Sequence, residues 1–159
     1  MIDTKTVSRR DLWFNNLDEV VADAERAVAA NAVTIGNWSL GQILEHVAVV
    51  MEKTVNGFDM KAPLPIRLMG RWFLKNRFLK NGMPAGFQLK GPAAQELLPP
   101  EVDANQALEH LHNAAERLQN ETHRETHPFF GDLTDQEACL INCRHAALHL
   151  SFVQEPSHA

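Results

Sequence analysis

The stretch NWSLGQILEHV, residues 37–47, contains the best-marked helix start in the chain. Ser39 is a residue type that favours the N-cap position, and Gln42 follows it at the spacing of a capping box. An apolar run at helical spacing begins directly after this box. The stretch therefore predicts a helix over about Leu40–Phe58, and it places His46 about two turns after the helix start.

Three further segments predict helices. Apolar residues recur at helical spacing over about Arg9–Ala30, Val102–Asn120 and Asp135–Val153. The last of these segments opens with a second capping box, formed by Thr134 and Glu137. Tyrosine is absent, and no run of alternating β-branched residues is present, so strand signals are scarce. The whole pattern predicts an all-α fold.

The connections between the predicted helices differ in length. About eight residues join the first two helices and about fourteen join the last two, whereas about forty separate the second from the third. A short helix over about Ile66–Leu79 fits inside this long crossover. The crossover allows the second and third helices to run parallel. We therefore expect one domain, residues 1–159, built as a four-helix bundle with up-down-down-up order.

The bulk composition limits the class of protein. The chain has 159 residues, of which 45% are hydrophobic, and a net charge of −5, which argues against general nucleic-acid binding. No apolar run approaches the roughly 18 residues that cross a membrane, and the N-terminus lacks a secretory pattern. The two cysteines make no disulfide framework. We therefore expect a cytoplasmic protein with no membrane partner.

The long crossover is strongly basic. The segment Lys61–Gln95 contains seven basic residues and no acidic one, although the chain as a whole is acidic. One interpretation is a solvated insertion that offsets the charge of an acidic bundle. The other is a flap that attracts an anion such as a carboxylate, a phosphate or a lipid surface. The seven residues are Lys61, Arg67, Arg71, Lys75, Arg77, Lys80 and Lys90.

Two histidines lie four residues apart in the last predicted helix. At 100° per residue, His149 is about 40° from His145, and both point into the apolar stripe. Two imidazoles at this spacing can bind one metal ion, although a single buried histidine is more often a hydrogen-bonded core residue. Cys139 and Cys143 fall on another face of the helix, so they are poor candidates for the same ion.

His46 has the right depth to join this pair. His46 lies about seven residues after the start of the second helix. The midpoint of the pair lies about six residues before the end of the last helix. If these two helices are antiparallel, as the up-down-down-up order requires, all three histidines stand at one level. If the helices are parallel, His46 and the histidine pair differ in level along the helix axes by roughly 9 Å. We therefore predict a divalent metal site formed by His46, His145 and His149.

The pocket is expected beside these histidines, at the end where the second helix begins and the fourth ends. The loop 30–38, the segment 91–101 and the tail after Phe152 should build its mouth. Part of the basic crossover should cover the opening, where its charge would favour an anionic small-molecule substrate. The residues expected to line the pocket are Trp38, Gln42, Val50, Lys53 and Phe152.

Two other features lead to separate expectations. His127, in the stretch HPFFGDLT, should lie at the end of the bundle opposite the metal, where Phe129 and Phe130 form an apolar plug.

The fourth helix is also apolar on its far side, and a helix apolar all round is normally buried all round. Either the crossover or a second subunit must cover that side, which favours a homodimer. The far-side residues are Leu140, Cys143, Ala147 and Leu150.

The sequence resembles a known superfamily in three stretches. NWSLGQILEHV, RHAALHLSF and the long crossover between them resemble the DinB-like (DinB/YfiT-like) metalloenzymes. Together with HPFFGDLT, they resemble a branch described only as a domain of unknown function. The resemblance implies a four-helix bundle with up-down-down-up order. It also implies a divalent metal, often nickel or zinc, held by His46, His145 and His149.

The resemblance also suggests a reaction. Some members of the superfamily are transferases or isomerases that use low-molecular-weight thiols such as bacillithiol or mycothiol. Three neutral imidazoles leave a coordination position open for a thiol or water, as in catalytic sites. Thiol transfer is therefore the first functional hypothesis. A metal-dependent hydrolase is an alternative that needs a general base, and Glu45 and Glu52 point away from the ligands. A non-catalytic small-molecule-binding or stress-response protein with a vestigial metal site is the other alternative.

Overall fold

The computed structural model describes residues 2–60, 62–86 and 97–154. These residues are mostly helical, which confirms the predicted all-α class, and none of their helices is long and apolar enough to cross a membrane. In chain order the elements are α1 (Leu17–Ala29), β1 (Val33–Thr34), α2 (Leu40–Asn56), α3 (Leu64–Met69), a π-helical turn (Gly70–Leu74), α4 (Lys75–Asn81), α5 (Ala104–Asn120), α6 (Asp135–Leu150) and β2 (Val153–Gln154).

Both predicted capping boxes are present. The Gln42 N–H donates to Ser39 Oγ at 3.2 Å, and the Ser39 N–H donates to Gln42 Oε1 at 3.1 Å. Thr134 and Glu137 make the same reciprocal pair at the start of α6. Each box satisfies backbone donors that a helix start leaves without partners. The registers of α2 and α6 are therefore set by local sequence.

The predicted bounds of the first and last helices are wrong at one end each. α1 begins at Leu17 instead of Arg9, because Asn16 caps it by accepting the Glu19 N–H at 2.9 Å. α6 ends at Leu150 instead of Val153. The residues after it turn back and pair with β1, with Thr34 opposite Val153. This pairing places the end of α6 beside the loop that precedes α2.

The contacts at the helix ends give the directions of three long helices. Gly41 at the start of α2 packs against the Val102 carbonyl just before α5, so closely that a Cβ at Gly41 would lie 2.0 Å from that oxygen. At the other end the Glu125 N–H donates to Val55 O at 3.3 Å. α2 and α5 therefore run in the same direction. Asn142, at the middle of α6, bonds Thr54 late in α2, whereas His145, later in α6, lies 3.2 Å from His46 earlier in α2. α6 therefore runs antiparallel to both helices.

The far side of α6 is buried inside the chain itself. Cys143, Ala147 and Leu150 belong to the main core. The segment before α1 lies across the neighbouring Arg144, whose guanidinium donates to Phe14 O and stacks on the Trp13 ring at 3.5 Å. The N-terminal segment thus covers part of this side, Leu140 is half-buried, and the homodimer stays a prediction.

The crossover docks through a few apolar contacts. A Cβ at Gly70 would lie 2.1 Å from the Phe129 carbonyl, so only glycine allows this approach. Phe78 packs edge-to-face on Phe130 at 6.0 Å, and both pack with Ile141 of α6. Much of the apolar surface of α3 and the π-helical turn stays exposed, in Leu64, Ile66, Leu68, Met69, Trp72 and Phe73. Lys61, Lys90 and mouth residues 91–96 lie outside the described residues.

Candidate metal centre and cavity

Three histidines from two helices converge at one point. His46 lies on α2, and His145 and His149 lie one turn apart on α6. One ring nitrogen from each can be chosen so that all three lie within 4.8 Å of one another, and His46 Nε2 is 3.2 Å from His145 Nε2. Three imidazole donors about a tetrahedral zinc-sized ion are roughly 3.4 Å apart. The separations are therefore those of a group that could hold a metal ion.

The tautomer of His46 is set by the end of the crossover. His46 Nδ1 lies 2.8 Å from the Leu97 carbonyl oxygen, which can only accept, so Nδ1 carries the proton. The Nε2 lone pair then faces the other two histidines. A backbone carbonyl behind the ring is the usual partner of a metal-binding histidine. Two residues later, the Pro99 carbonyl accepts from Gln42 Nε2 at 3.3 Å, which ties the same segment to the start of α2.

All three rings are held in the neutral form that a metal requires. Burial lowers the pKa of His46 to about 4, although the bond to Leu97 opposes the shift. Burial also lowers the pKa values of His145 and His149 well below the ordinary value, and the neighbouring imidazoles lower them further. Lone pairs are therefore available at neutral pH without the removal of protons.

One nitrogen at the cluster has no partner. His145 Nδ1 is buried and makes no hydrogen bond with any described residue. Because the Nε2 atoms of His46 and His145 face each other, only a proton or a cation between them relieves the repulsion of their lone pairs. The donor set, its neutrality and its spacing fit a metal ion that accepts imidazole ligands.

Trp38 packs on the cluster and orients two of its rings. Its ring stacks on His149 with centroids 5.4 Å apart and an interplanar angle of 12°, and it meets His46 at 4.8 Å. Trp38 directly precedes Ser39, so the cap of α2 also places this ring. Local sequence at one helix start thus positions both a candidate ligand and the aromatic wall beside it.

The cluster forms part of the wall of a cavity of about 500 Å³. Of the residues expected to line a pocket, Trp38, Val50 and Phe152 do so. Gln42 and Lys53 do not line it, because Gln42 is engaged at the helix cap and Lys53 pairs with Asp59 at 2.6 Å. The cavity extends from the cluster along α6, past Asn142 and Ile141, to Phe129 and Phe130.

No aspartate, glutamate, lysine or arginine of the described residues lines this cavity. The crossover contributes apolar and backbone surface there, through Phe78, Met83 and Pro84. Two of its described charged groups face elsewhere, since Lys75 pairs with Glu137 at 2.7 Å and Arg71 packs against Gly131. The described lining thus holds no lysine or arginine, and the anionic ligand stays a prediction.

His127 lines the same cavity, which the sequence did not lead us to expect. Its loop lies near the start of α6, but the cavity connects that end with the cluster. Its Nδ1 accepts the backbone N–H groups of Phe129 and Phe130, both at 3.2 Å. Burial lowers its pKa to about 3. The sequence signal is the position of His127 two residues before Phe129 and three before Phe130. A side-chain acceptor at this spacing can bond the backbone N–H groups of a turn.

Three other side chains with reactive groups lie outside the cavity lining: His110, Cys139 and Cys143. His110 lies between Glu45 and Glu52, with Nδ1 2.9 Å from Glu45 Oε2. Burial lowers the pKa of His110, but these two carboxylates raise it by more. Burial also raises the pKa of Cys143 to about 12 and that of Cys139 above its ordinary value. Neither thiol is therefore primed as a nucleophile.

The fold and the site define a helical protein with a three-histidine cluster that could hold a metal ion. The chain belongs to a family of proteins of unknown function, DUF1569, whose model matches residues 6–156. This confirms the part of the resemblance that concerns a domain of unknown function. No curated protein and no solved structure matches the chain.

Proposed function

We propose that this protein is a metal-dependent enzyme that transfers a low-molecular-weight thiol to a largely apolar small molecule. The observation that carries the proposal is the convergence of His46, His145 and His149 within 4.8 Å at the wall of an uncharged cavity of about 500 Å³. A structural metal site is closed by its protein ligands, whereas three ligands beside a cavity leave room for a reactant.

A divalent ion bound there would supply a Lewis acid that lowers the pKa of a thiol or of water. The protein contributes the rest. His46 is oriented by Leu97, and Trp38 packs against His46 and His149. The apolar lining excludes water from a reactant in the cavity, which strengthens the electrostatic interactions at the cluster.

The lining favours thiol transfer over hydrolysis. A hydrolase benefits from a general base near the attacking water. No carboxylate of the described residues lines the cavity, and Glu45 and Glu52 are engaged with His110. Besides the three candidate ligands, His127 is the titratable residue in the described lining, and its one basic nitrogen already accepts two backbone bonds. A metal-activated thiol needs no such base.

The thiol has to come from outside the chain. Cys143 is buried in the main core, and burial raises its pKa to about 12. Cys139 lies one turn away on the same helix, with its Sγ 4.0 Å from Leu118 O and away from the cavity lining. A diffusible thiol co-substrate is therefore part of the proposal, as are nickel or zinc as the ion.

A second candidate is a non-catalytic protein that binds an apolar small molecule. The observation in its favour is the cavity itself, which is large, apolar and free of a general base in its described lining. Such cavities suit binding as well as catalysis. Turnover of an electrophile separates the two candidates, because a binding protein would saturate with ligand and form no product.

The proposal includes membership of the DinB-like superfamily and the up-down-down-up order of the four long helices. The parallel contacts of α2 with α5, at Gly41 and at Val55, support that order. The antiparallel contact of α6 with α2 through Asn142 also supports it. The same order brings His46 level with His145 and His149.

The experiment starts with metal analysis of protein purified without a histidine tag. We expect about one nickel or zinc ion per chain, and strong loss of the ion when His145 and His149 are both changed to alanine. Metal-loaded protein should consume a thiol together with an alkyl halide. The new carbon–sulfur bond replaces the carbon–halogen bond, and halide and the thiol proton are released to solvent in equal amounts. Chelation should abolish this consumption, and restoring the ion should recover it.

His112→Ala is the matched control for these histidine variants. His112 lies on α5, is half exposed and pairs with Glu25 at 3.0 Å, far from the cavity lining. It should keep full metal content and turnover. Unchanged metal content in the double variant would refute the metal assignment. Full metal with no turnover of any thiol would favour the binding protein.

A further inference from the structure

Two polar atoms of residues that line the cavity have no partner among the described residues. The first is the side-chain oxygen of Asn142. Asn142 Nδ2 donates to Ala138 O at 2.9 Å and to Thr54 Oγ1 at 3.1 Å, and the Thr54 hydroxyl itself donates to Val50 O. Because both acceptors are identified, the orientation of the amide is determined. Asn142 is 1% exposed, and its Oδ1 has no partner among the described residues.

The second atom is Nε2 of His127. Its Nδ1 accepts two backbone N–H groups, so the single proton of the neutral ring must sit on Nε2. The ring is held rigidly, stacked on Phe130 at 4.5 Å and edge-on to Phe58 at 5.2 Å. Gly131, with a φ of 72°, closes the turn that presents it. Nε2–H is therefore a fixed donor, and no described residue accepts from it.

Both residues belong to one part of the cavity. Asn142 lies three residues before His145 on α6, roughly 4.5 Å along the helix axis from that candidate ligand. Phe130, on which His127 stacks, packs with Ile141, the neighbour of Asn142. An unpartnered acceptor as deeply buried as Asn142 Oδ1 is unfavourable for a folded protein, and His127 Nε2–H adds an unused donor beside the cavity. A bound molecule that supplies both partners would remove that cost.

We propose that Asn142 Oδ1 and His127 Nε2–H form a subsite for a neutral group that both donates and accepts a hydrogen bond. A hydroxyl is the smallest group that does both, and a primary amide also fits. The ligand class is therefore an otherwise apolar alcohol, phenol or amide. A carboxylate is disfavoured, because Asn142 Oδ1 repels it and no described cation lines the cavity.

The subsite would also orient the ligand. Its polar group lies about one helical turn from the three-histidine cluster, so the reacting atom has to lie a few ångströms from the hydroxyl or amide. This orientation rests on the proposed function, whereas the binding of the polar group does not. Binding to metal-free protein can therefore be tested separately from metal content and turnover.

The test uses three probes with one skeleton: 4-propylphenol, propylbenzene and 4-propylbenzoate. Calorimetric titration of chelator-treated protein should give a dissociation constant about tenfold lower for the phenol than for propylbenzene. The benzoate should bind no better than propylbenzene. Equal affinities of phenol and propylbenzene, or tightest binding of the benzoate, would overturn the proposal.

Two variants identify the atoms. His127→Asn keeps a side-chain oxygen that can accept the backbone N–H groups of the turn, but it removes the donor at the Nε2 position. Asn142→Leu has a similar volume and removes the acceptor. In each folded variant the phenol preference should fall from about tenfold to about twofold or less, whereas His112→Asn should retain it. A tenfold preference that persists in both variants would refute the subsite.

The outcomes for metal and for the subsite are independent. Metal-free protein that prefers the phenol, in a chain that binds no ion, would refute the proposed function and leave the subsite standing. Stoichiometric metal with no preference among the probes would refute the subsite and leave the proposed function standing.

Discussion

The carbonyl oxygen of Leu97 lies 2.8 Å from Nδ1 of His46 and joins the last part of the crossover to the start of α2. This contact determines which nitrogen of His46 faces the candidate metal position. It depends on close packing at Gly41, where α2 meets the Val102 carbonyl. A residue that touches neither the metal nor the cavity should therefore influence metal affinity.

Gly41→Ala should weaken metal binding. The new Cβ would lie 2.0 Å from Val102 O, so the backbone before α5 has to move, and the Leu97 and Pro99 carbonyls move with it. We expect a loss of roughly 1–3 kcal/mol in the free energy of unfolding. We also expect a metal affinity lower by about tenfold or more, the size of effects seen at outer-shell partners.

Gly36→Ala is the control for this variant, and metal titration with a competing chelator is the measurement. A Cβ at Gly36 would meet Phe152 no closer than 3.4 Å. Its metal affinity should stay near that of the unmodified protein. Equal affinities for both variants would show that the Leu97 contact does not tune the site.

Acid should unfold the unmodified protein more steeply than His127→Asn. Burial lowers the pKa of His127 to about 3 in the folded state, whereas the unfolded ring titrates near 6.5. The neutral ring therefore contributes stability above pH 6.5, and this contribution is lost as the pH falls towards 3. Its slope approaches about 1.4 kcal/mol per pH unit over that window.

Urea unfolding at pH 7, 6 and 5 in the presence of a chelator measures this slope. The variant should lose less stability per pH unit than the unmodified protein, because it lacks one group that binds a proton only when unfolded. Parallel curves would mean that His127 is protonated, or accessible to protons, in the folded state.

The two faces of the crossover should respond differently to the loss of a phenyl ring. Phe78 is buried against Phe130 and Ile141, whereas Phe73, five residues earlier, is 72% exposed. Phe78→Ala should lower the free energy of unfolding by about 3–5 kcal/mol, because it removes a buried ring and leaves a cavity. Phe73→Ala should change it by less than about 0.5 kcal/mol. Thermal and urea unfolding of the two variants, each compared with the unmodified protein, provides the check, and similar losses would contradict this docking.

Cys143 should be unreactive in the folded protein. Burial raises the pKa of its thiol to about 12, so the thiolate is scarce at pH 8. Titration with a coloured disulfide reagent should modify Cys143 only on unfolding, with Cys139 the faster of the two. Fast modification of Cys143 at pH 8 would contradict the buried core described for α6, and a Cys143→Ala variant would verify the assignment.

The sequence by itself determined the elements that rest on local chemistry. The capping boxes at Ser39 and Thr134 set the registers of α2 and α6, because side chain and backbone three residues apart complete each other there. Once those registers are set, the depths of His46, His145 and His149 follow from the rise per residue. The candidate metal ligands could therefore be predicted before any contact was known.

Long-range packing decided the remaining features. The N-terminal segment covers part of the far side of α6 through Trp13, Phe14 and Arg144, residues about 130 positions apart that no local pattern connects. The same is true of His127, whose loop looks like an apolar plug in the sequence. It becomes part of the cavity because Gly70 lets the crossover dock on that loop.

The polarity of the cavity also depends on tertiary structure. The basic composition of the crossover suits either a solvated insertion or an anion-attracting cover, whereas the described part of the crossover turns Phe78, Met83 and Pro84 towards the cavity and pairs Lys75 with Glu137. Composition determines how many charges a segment carries. Only packing decides which face of that segment meets the site, because desolvating an unpaired charge in an apolar wall costs more than pairing it with a carboxylate on a neighbouring helix.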